Sequence, residues 1–120
     1  MTAGEGFSKK ERLLKTRDFR IVYTKGRKLS VGGTAICWLE NALGHNRLGF
    51  SISSRNFKLA AARNRIRRLF REVYRRNKTE LSSGFDLILV VKRGFDKNAP
   101  LIDAERLFKE LIKKAGLVRS

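Results

Sequence analysis

Residues 56–78 read NFKLAAARNRIRRLFREVYRRNK, and the rest of the chain can be arranged around them. Their apolar residues recur at steps of three and four, which is the spacing of side chains on one face of an α-helix. With Ile66 at the centre, the apolar stripe lies within about 60° on either side of it, at 100° per residue. The stripe consists of Leu59, Ala62, Ile66, Leu69, Phe70 and Val73. We therefore predict a long helix that packs on a core along this narrow stripe.

The remaining surface of this helix is dominated by arginine. On the side opposite the stripe lie Asn64, Arg68, Arg71 and Arg75, and on its flanks lie Arg63, Arg65, Arg67 and Arg76. A solvated helix face usually mixes the two signs of charge, but Glu72 is the only acidic residue here. Like charges four residues apart destabilise a helix by a few tenths of a kcal/mol per pair, and a polyanionic partner would offset that cost. Arginine also suits phosphate, because its planar fork donates two parallel hydrogen bonds.

The composition favours a nucleic-acid-binding protein of one domain. The chain has 120 residues, with 28 Lys and Arg against 11 Asp and Glu, so its formal net charge is +17. Such a charge selects anionic partners, nucleic acid first and an anionic membrane second. No apolar run approaches the roughly 20 residues that span a bilayer, and residues 1–6 carry no hydrophobic signal segment. We therefore expect residues 1–120 to form a single nucleic-acid-binding domain in the cytoplasm, without a membrane role.

Catalytic and metal-ligating constellations are missing from the sequence. Cys37 and His45 are the only residues of their types, so neither a disulfide nor a zinc site can be assembled. We expect Cys37 to fill core space in a reducing compartment. The carboxylates are scattered, and there is no Gly-rich phosphate loop or nucleophile–base pair. The sequence thus predicts no catalytic residue and no protein-bound metal.

The order of predicted elements is that of an α+β sandwich with a small sheet. Residues 1–15 are a basic arm that we expect to be only partly ordered. A helix runs from an N-cap at Thr16 to a stop at Gly26, and a final helix runs from an N-cap at Asp103 to a stop at Gly116. Residues 27–31 form a connection. Strands are predicted at 34–39, 47–53 and 85–91, and the last is nearly continuous in apolar residues, as in a central strand buried on both faces.

Two patterns leave structural and functional interpretations open. Phe19 and Tyr23 share one face of the first helix, where aromatic residues belong to a core more often than to a site. In residues 47–53, the large residues Leu48, Phe50 and Ile52 alternate with the small residues Gly49, Ser51 and Ser53. The small-residue face either admits a ligand closely or packs beneath another element, and spacing alone favours neither.

Four segments resemble the bacterial ribonuclease P protein component, in the same order and over nearly the whole chain. Residues 62–72, ARNRIRRLFRE, resemble the RNR motif of that family. Residues 13–26, LLKTRDFRIVYTKG, resemble the opening helix of the family. Residues 47–53, RLGFSIS, resemble the strand before the motif, and residues 85–92, FDLILVVK, resemble the final strand. The resemblance implies a mixed sheet with a left-handed β-α-β crossover around the basic helix. Without the resemblance we would predict a right-handed crossover, because nearly all β-α-β connections have that hand.

The resemblance also implies a division of labour. The partner RNA of this family is the ribozyme, and Mg²⁺ held mainly by that RNA and the substrate serves hydrolysis of the 5′ leader from precursor tRNA. The protein has no catalytic group and requires no protein partner. The residues implied in RNA binding are Arg63, Asn64, Arg65, Arg67, Arg68, Arg71, Arg55 and Lys58. The residues implied in a cleft for the single-stranded leader are Phe19, Tyr23, Trp38, Ser51 and Ser53.

The chain departs from the family pattern in two places, and other functions fit its composition. Residues 54–58, SRNFK, shift the basic positions that follow the strand in many members. Either Cys37 or Trp38 could occupy the aromatic position of the cleft, and stacking chemistry favours Trp38. The alternative function is a ribosomal or other structural RNA-binding protein, which would need no open cleft beside Phe19 and Tyr23. An autonomous nuclease is disfavoured by the scattered carboxylates.

Overall fold

The computed structural model describes residues 7–119 and confirms the α+β class. Its helices and strands are α1 (Thr16–Lys25), β1 (Arg27–Val31), β2 (Thr34–Glu40), β3 (Arg47–Ile52), α2 (Ala60–Asn77), β4 (Phe85–Val91) and α3 (Leu101–Lys114). Short 3-10 turns lie at Lys9–Glu11 and Lys78–Glu80. Strand β1 is the one element that the sequence analysis treated as a connection.

The four strands form one mixed sheet in the order β1-β2-β4-β3. The pairs β1–β2 and β2–β4 are antiparallel, whereas β3 and β4 are parallel. The prediction of β4 as a central strand is confirmed, because it lies between β2 and β3 and most of its side chains are buried. Parallel neighbours need a crossover connection, and α2 supplies it between β3 and β4. The hand of this crossover stays a prediction.

The two faces of the sheet carry cores of different size. The larger core joins one face to α2 and α3 and includes Ile36, Leu48, Ile66, Phe70, Leu87, Leu89, Phe108 and Leu111. The other face carries a small cluster in which Val22 of α1 packs with Leu13, Cys37 and Ile88. Cys37 thus fills core space as predicted, with 2% of its surface exposed. Helix α1 therefore rests on a much smaller apolar contact than α2 does.

The predicted stripe of α2 is confirmed over most of its length. Ile66, Phe70 and Val73 are buried, and Ala62 and Leu69 are half-buried. Leu59 is a correction: it precedes the helix as the N-cap residue and is 66% exposed. Because the helix begins only at Ala60, Leu59 is not part of the buried stripe. Tyr74, absent from the predicted stripe, is 2% exposed, and its burial raises the pKa of its hydroxyl above the ordinary value.

Both predicted N-caps are wrong, whereas both predicted glycine stops follow helices. Thr16 is already the first residue of α1, and α3 begins at Leu101, so Asp103 lies in its first turn. Gly116 ends α3 with a φ of +74°, a conformation that side chains rarely adopt. Gly26 acts differently: its φ is −83°, but an added Cβ would lie 2.5 Å from the carbonyl oxygens of Val22 and Trp38. Glycine is needed there because the chain crosses strand β2 closely.

Candidate RNA interface

The chain before α1 packs on the sheet from residue 7 onward, and residues 1–6 of the predicted arm lie outside the described residues. The ring of Phe7 meets the ring of Tyr74 edge-on at 5.5 Å. The amide of Leu13 donates to the carbonyl oxygen of Leu48 at 3.0 Å, so this segment lines the outer edge of β3. Glu11 pairs with Lys78 at 3.1 Å, and most of both side chains is buried. Residues 7–15 thus form one wall of the region beside α1.

The charged pair Glu11–Lys78 fixes this wall to the end of α2. Burial works to raise the pKa of the Glu11 carboxyl, but hydrogen bonds from the Ser8 amide, the Lys78 ammonium and the Ser8 hydroxyl together outweigh it. The pKa of Glu11 therefore lies below its ordinary value of 4.5. The carboxylate stays charged, and the wall stays tethered, at neutral pH.

Phe19 and Tyr23, the two aromatic residues predicted for a cleft, occupy different environments on α1. Phe19 is half-buried over β3, where a Cβ on Gly49 would clash with its ring and lie 2.8 Å from the carbonyl oxygen of Leu13. Gly49 therefore lets the ring rest directly on the strand. Tyr23 is 47% exposed, and its ring centroid lies 6.4 Å from that of Phe19. Phe19 forms the floor of a shallow aromatic surface, and Tyr23 is open to solvent.

An ion-pair network holds α1 against the sheet at this position. Arg47 of β3 donates through Nε and Nη2 to the two carboxylate oxygens of Asp86, at 2.8 and 2.7 Å. Its Nη1 lies 3.6 Å from Asp18 of α1, and Asn41 donates to Asp86 at 2.8 Å. The hydrogen bond to Asp86 raises the pKa of Arg47 despite partial burial. This network could not be predicted from the sequence, because its members are separated along the chain and nothing in their spacing relates them.

The two predicted cleft serines have different roles. Ser51 is paired with Val90 in the sheet and alternates with Gly49, so it lies on the same face as Phe19 and is half-buried. Ser53 lies beyond the end of β3, and its hydroxyl accepts a hydrogen bond from the amide of Arg55 at 3.0 Å. Ser51 therefore faces the cleft, whereas Ser53 caps the turn that follows the strand.

The choice of Trp38 for the cleft is wrong. Cys37 packs in the cluster beneath α1, and Trp38 packs against the core on the opposite face of the sheet. Alternation along β2 sets the side on which each residue lies, whatever its stacking chemistry. Burial raises the pKa of the Cys37 thiol, although the nearby charges of Lys28 and Lys92 oppose that shift. Cys37 thus lies beneath the cleft as a buried, protonated thiol.

Two arginines of the RNR motif bind the chain's own backbone. Arg63 donates through Nη1 to the carbonyl oxygens of Phe57 and Lys58, at 2.7 and 3.1 Å. Arg65 donates to the carbonyl oxygens of Lys97 and Ala99, at 2.5 and 3.0 Å. Both side chains are half-buried, and they fix the loops before α2 and after β4. If Arg63 and Arg65 contact phosphate as predicted, they would do so through the guanidinium N–H groups that do not bind these carbonyl oxygens.

The other predicted RNA-binding residues are more open. The side chain of Arg68 is exposed and has no hydrogen bond or ion pair within residues 7–119. Arg71 is exposed and lies over the ring of Phe7, 5.9 Å from its centroid, and Arg67 donates to Asn64 at 3.1 Å. In the loop before α2, the exposed side chains of Arg55 and Lys58 likewise have no such partner in the described part of the chain. These residues present unpaired or weakly held cations to solvent.

A recess joins the aromatic surface to the basic helix. It has a volume of about 230 Å³ and is lined by Phe7, Arg12, Leu13, Leu14, Phe19, Leu48, Gly49, Phe50, Arg67 and Arg71. Phe19 of α1 and two guanidinium groups of α2 thus border one cavity. The two surfaces that the sequence analysis treated separately are continuous.

The described residues contain neither a metal-binding cluster nor a membrane span. No group of three or more His, Cys, Asp or Glu side chains comes together within residues 7–119. Among the same residues, no helix has the length and apolar character that crossing a bilayer requires.

A basic helix beside an aromatic cleft on an α+β sheet defines an RNA-binding protein. The family model described as Ribonuclease P matches residues 7–116, and the chain belongs to this family. The ribonuclease P protein component of Petrotoga mobilis is 36% identical over 110 residues, which cover 92% of each chain. That of Thermotoga maritima is 31% identical over 99 residues, which cover 82% of this chain and 84% of the relative.

Solved structures of the same family share the fold. The RNase P protein of Staphylococcus aureus aligns with a TM-score of 0.81 at 25% identity, covering 91% of this chain and 98% of its own. The RNase P protein of Thermotoga maritima aligns with a TM-score of 0.79 at 27% identity, covering 87% and 96%. The mixed sheet and its crossover helix are therefore the scaffold of this family.

Proposed function

We propose that this chain is the protein subunit of a ribonuclease P, the ribonucleoprotein endonuclease that removes the 5′ leader from precursor tRNA. In this proposal the surface of Phe19, Tyr23 and Ser51 holds the single-stranded leader. The exposed cations of α2 contact the RNA subunit and the substrate near the site of cleavage. The catalytic groups belong to the RNA, and the complex works in the cytoplasm without an obligate protein partner.

The observation that carries the proposal is the recess shared by Phe19, Arg67 and Arg71. Unpaired bases stack on aromatic rings at about 1–3 kcal/mol each without demanding a sequence, which suits a leader that varies between precursors. Guanidinium groups at the same recess can meet the phosphates of that strand as it approaches α2. A protein that only scaffolds folded RNA would have no need for an open aromatic surface continuous with its basic helix.

A small side chain beneath α1 supports close approach of a strand. Ser51 presents only a hydroxyl on the face that carries Phe19, whose ring fills the space above Gly49. Arg47 is held on the sheet by Asp86 and connects α1 to it through an ion pair with Asp18 at 3.6 Å. We expect a cleft supported in this way to need little ordering when RNA binds.

Magnesium enters the proposal through the RNA. The described residues offer no cluster of carboxylates that fits a protein-bound Mg²⁺. The exposed charges of Arg68 and Arg71 would instead lower the repulsion between two crowded RNA backbones. We expect this screening to reduce the Mg²⁺ concentration at which the two RNAs assemble.

Reconstitution with a cognate RNA subunit tests the proposal. Cleavage of precursor tRNA is measured at low and high Mg²⁺, with and without the protein, and with the protein alone. We expect the protein to stimulate cleavage strongly at low Mg²⁺ and weakly at high Mg²⁺, and to be inactive alone. Full processing at low Mg²⁺ by the RNA alone would contradict the proposal, and specific cleavage by the protein alone would favour an autonomous nuclease.

A further inference from the structure

A second recess lies where the ends of α1 and α3 meet strand β2. Its volume is about 530 Å³, and its aromatic wall is formed by Trp38 and Phe85, which are both half-buried. Trp38 packs on the side of the larger core, and Glu40 and Phe85 lie on the same face of the sheet. The recess is therefore separate from the cleft beside Phe19 and Tyr23.

Three charged side chains line this recess. The side chains of Lys25, Arg27 and Glu40 are exposed, and none of them makes a hydrogen bond or an ion pair within residues 7–119. Arg27 is directly opposite Trp38 across the β1–β2 pair, which places their Cβ atoms about 5 Å apart. Glu40 follows Trp38 by two residues on the same face, about 7 Å along the strand.

We propose that this recess binds one unpaired guanosine of a bound RNA. The guanine base stacks on the indole of Trp38. The carboxylate of Glu40 accepts hydrogen bonds from N1–H and the N2 amino group at the Watson–Crick edge of the base. The ammonium of Lys25 and the guanidinium of Arg27 bind the neighbouring phosphates.

The charges of the recess favour this occupant over the other bases. An ionised carboxylate has only acceptors, and guanine is the one RNA base that presents two adjacent donors on that edge. Adenine and cytosine present one donor beside an acceptor, and uracil presents one donor between two carbonyl groups. An apolar protein segment would leave three charged groups desolvated and unpaired, which is costly.

Trp38 supplies the signal for the test, because it is the only tryptophan in the chain. The emission of the full-length protein is followed during titration with short uridine oligonucleotides that carry one central guanosine, adenosine or cytidine, or none. RNA binding is followed in parallel by the anisotropy of a labelled oligonucleotide. We expect the guanosine oligonucleotide to quench Trp38 at concentrations about tenfold lower than the other three. The two hydrogen bonds from the guanine edge to Glu40 would account for a difference of this size.

Three exposed substitutions sharpen the test without disturbing the core. Glu40→Gln should remove the preference for guanosine, whereas Glu80→Gln, at an exposed carboxylate outside the recess, should retain it. Arg27→Gln should weaken quenching by all four oligonucleotides. Equal quenching midpoints for the four, or unchanged emission while anisotropy reports binding, would overturn the proposal. Emission that changes with protein concentration in the absence of RNA would overturn it in favour of a second copy of the chain.

Discussion

The two faces of the sheet differ in how completely they are covered. On one face α2 and α3 enclose a continuous core that includes Phe70 and Phe108, and on the other α1 covers a cluster of four buried residues. The ten residues of α1 leave Tyr23 exposed, and the ion pair between Arg47 and Asp18 supplies part of the attachment of this helix to the sheet. One face thus provides stability, and the other is held in place while remaining accessible.

The same division recurs among the arginines of α2. Arg63 and Arg65 bind loop carbonyl groups, so they support the fold, whereas Arg68 and Arg71 remain available to RNA. A motif that reads as a uniform basic stretch therefore contains residues with two different tasks. Substitutions on each side of the division should separate loss of stability from loss of RNA binding.

The largest expected effect comes from the covered face. Phe70→Ala removes a buried ring that packs 5.4 Å from the ring of Phe95, and it should lower the free energy of unfolding by about 3–5 kcal/mol. Denaturant titration measures this change. Tyr23→Ala on the open face is the comparison, and it should cost less than about 1 kcal/mol. Similar losses for the two variants would mean that the faces do not differ as described.

A smaller effect separates the two kinds of arginine. Arg65→Ala removes hydrogen bonds to two loop carbonyl groups and should cost about 2 kcal/mol of stability. Arg68→Ala should change stability by no more than about 0.5 kcal/mol. It should lower RNA affinity and reduce the slope of log affinity against log salt concentration by about 1. Thermal unfolding and RNA binding at several salt concentrations measure both. An unchanged salt slope for Arg68→Ala would remove this residue from the phosphate contacts.

The smallest effect concerns the wall formed by residues 7–15. The pKa of Glu11 is lowered in the folded protein, so its contribution to stability is present above the ordinary value of 4.5 and is lost as the pH falls through the folded value. Glu11→Gln should therefore cost about 1 kcal/mol at neutral pH and nothing at strongly acidic pH. Unfolding free energies of both proteins across this range check the prediction. A constant difference at every pH would show that the charge of Glu11 is irrelevant.

Periodicity and apolar content predicted the elements that depend on local pattern. The stripe of α2 and the buried strand β4 follow directly from residue spacing, and Gly116 follows from its conformational freedom. The exposed position of Leu59 did not follow, because the spacing of apolar residues does not show at which residue a helix begins. The predictions of Thr16 and Asp103 as N-caps were wrong because both helices begin earlier in the chain. Thr16 is the first residue of α1, and Asp103 lies in the first turn of α3.

The candidate interface was predictable in its parts but not in its assembly. The resemblance of residues 13–26 and 62–72 placed the aromatic and basic residues in one family pattern. Long-range geometry decided the rest: the register of β2 turned Trp38 away from the cleft, and the approach of two loops to α2 engaged Arg63 and Arg65. No local pattern encodes either contact, because each partner lies on a separate element.

The most direct measurement compares precursor tRNA with mature tRNA as ligands of the reconstituted complex, for the unchanged protein and for Tyr23→Ala. Tyr23 is suited to this test because its ring is exposed and contributes little to the core. Ile102→Ala, at an apolar residue 65% exposed on α3, is the control and should change neither affinity. We predict that Tyr23→Ala weakens precursor binding by about 5- to 150-fold and leaves mature tRNA binding unchanged. Equal losses for the two ligands would contradict a cleft that holds the leader.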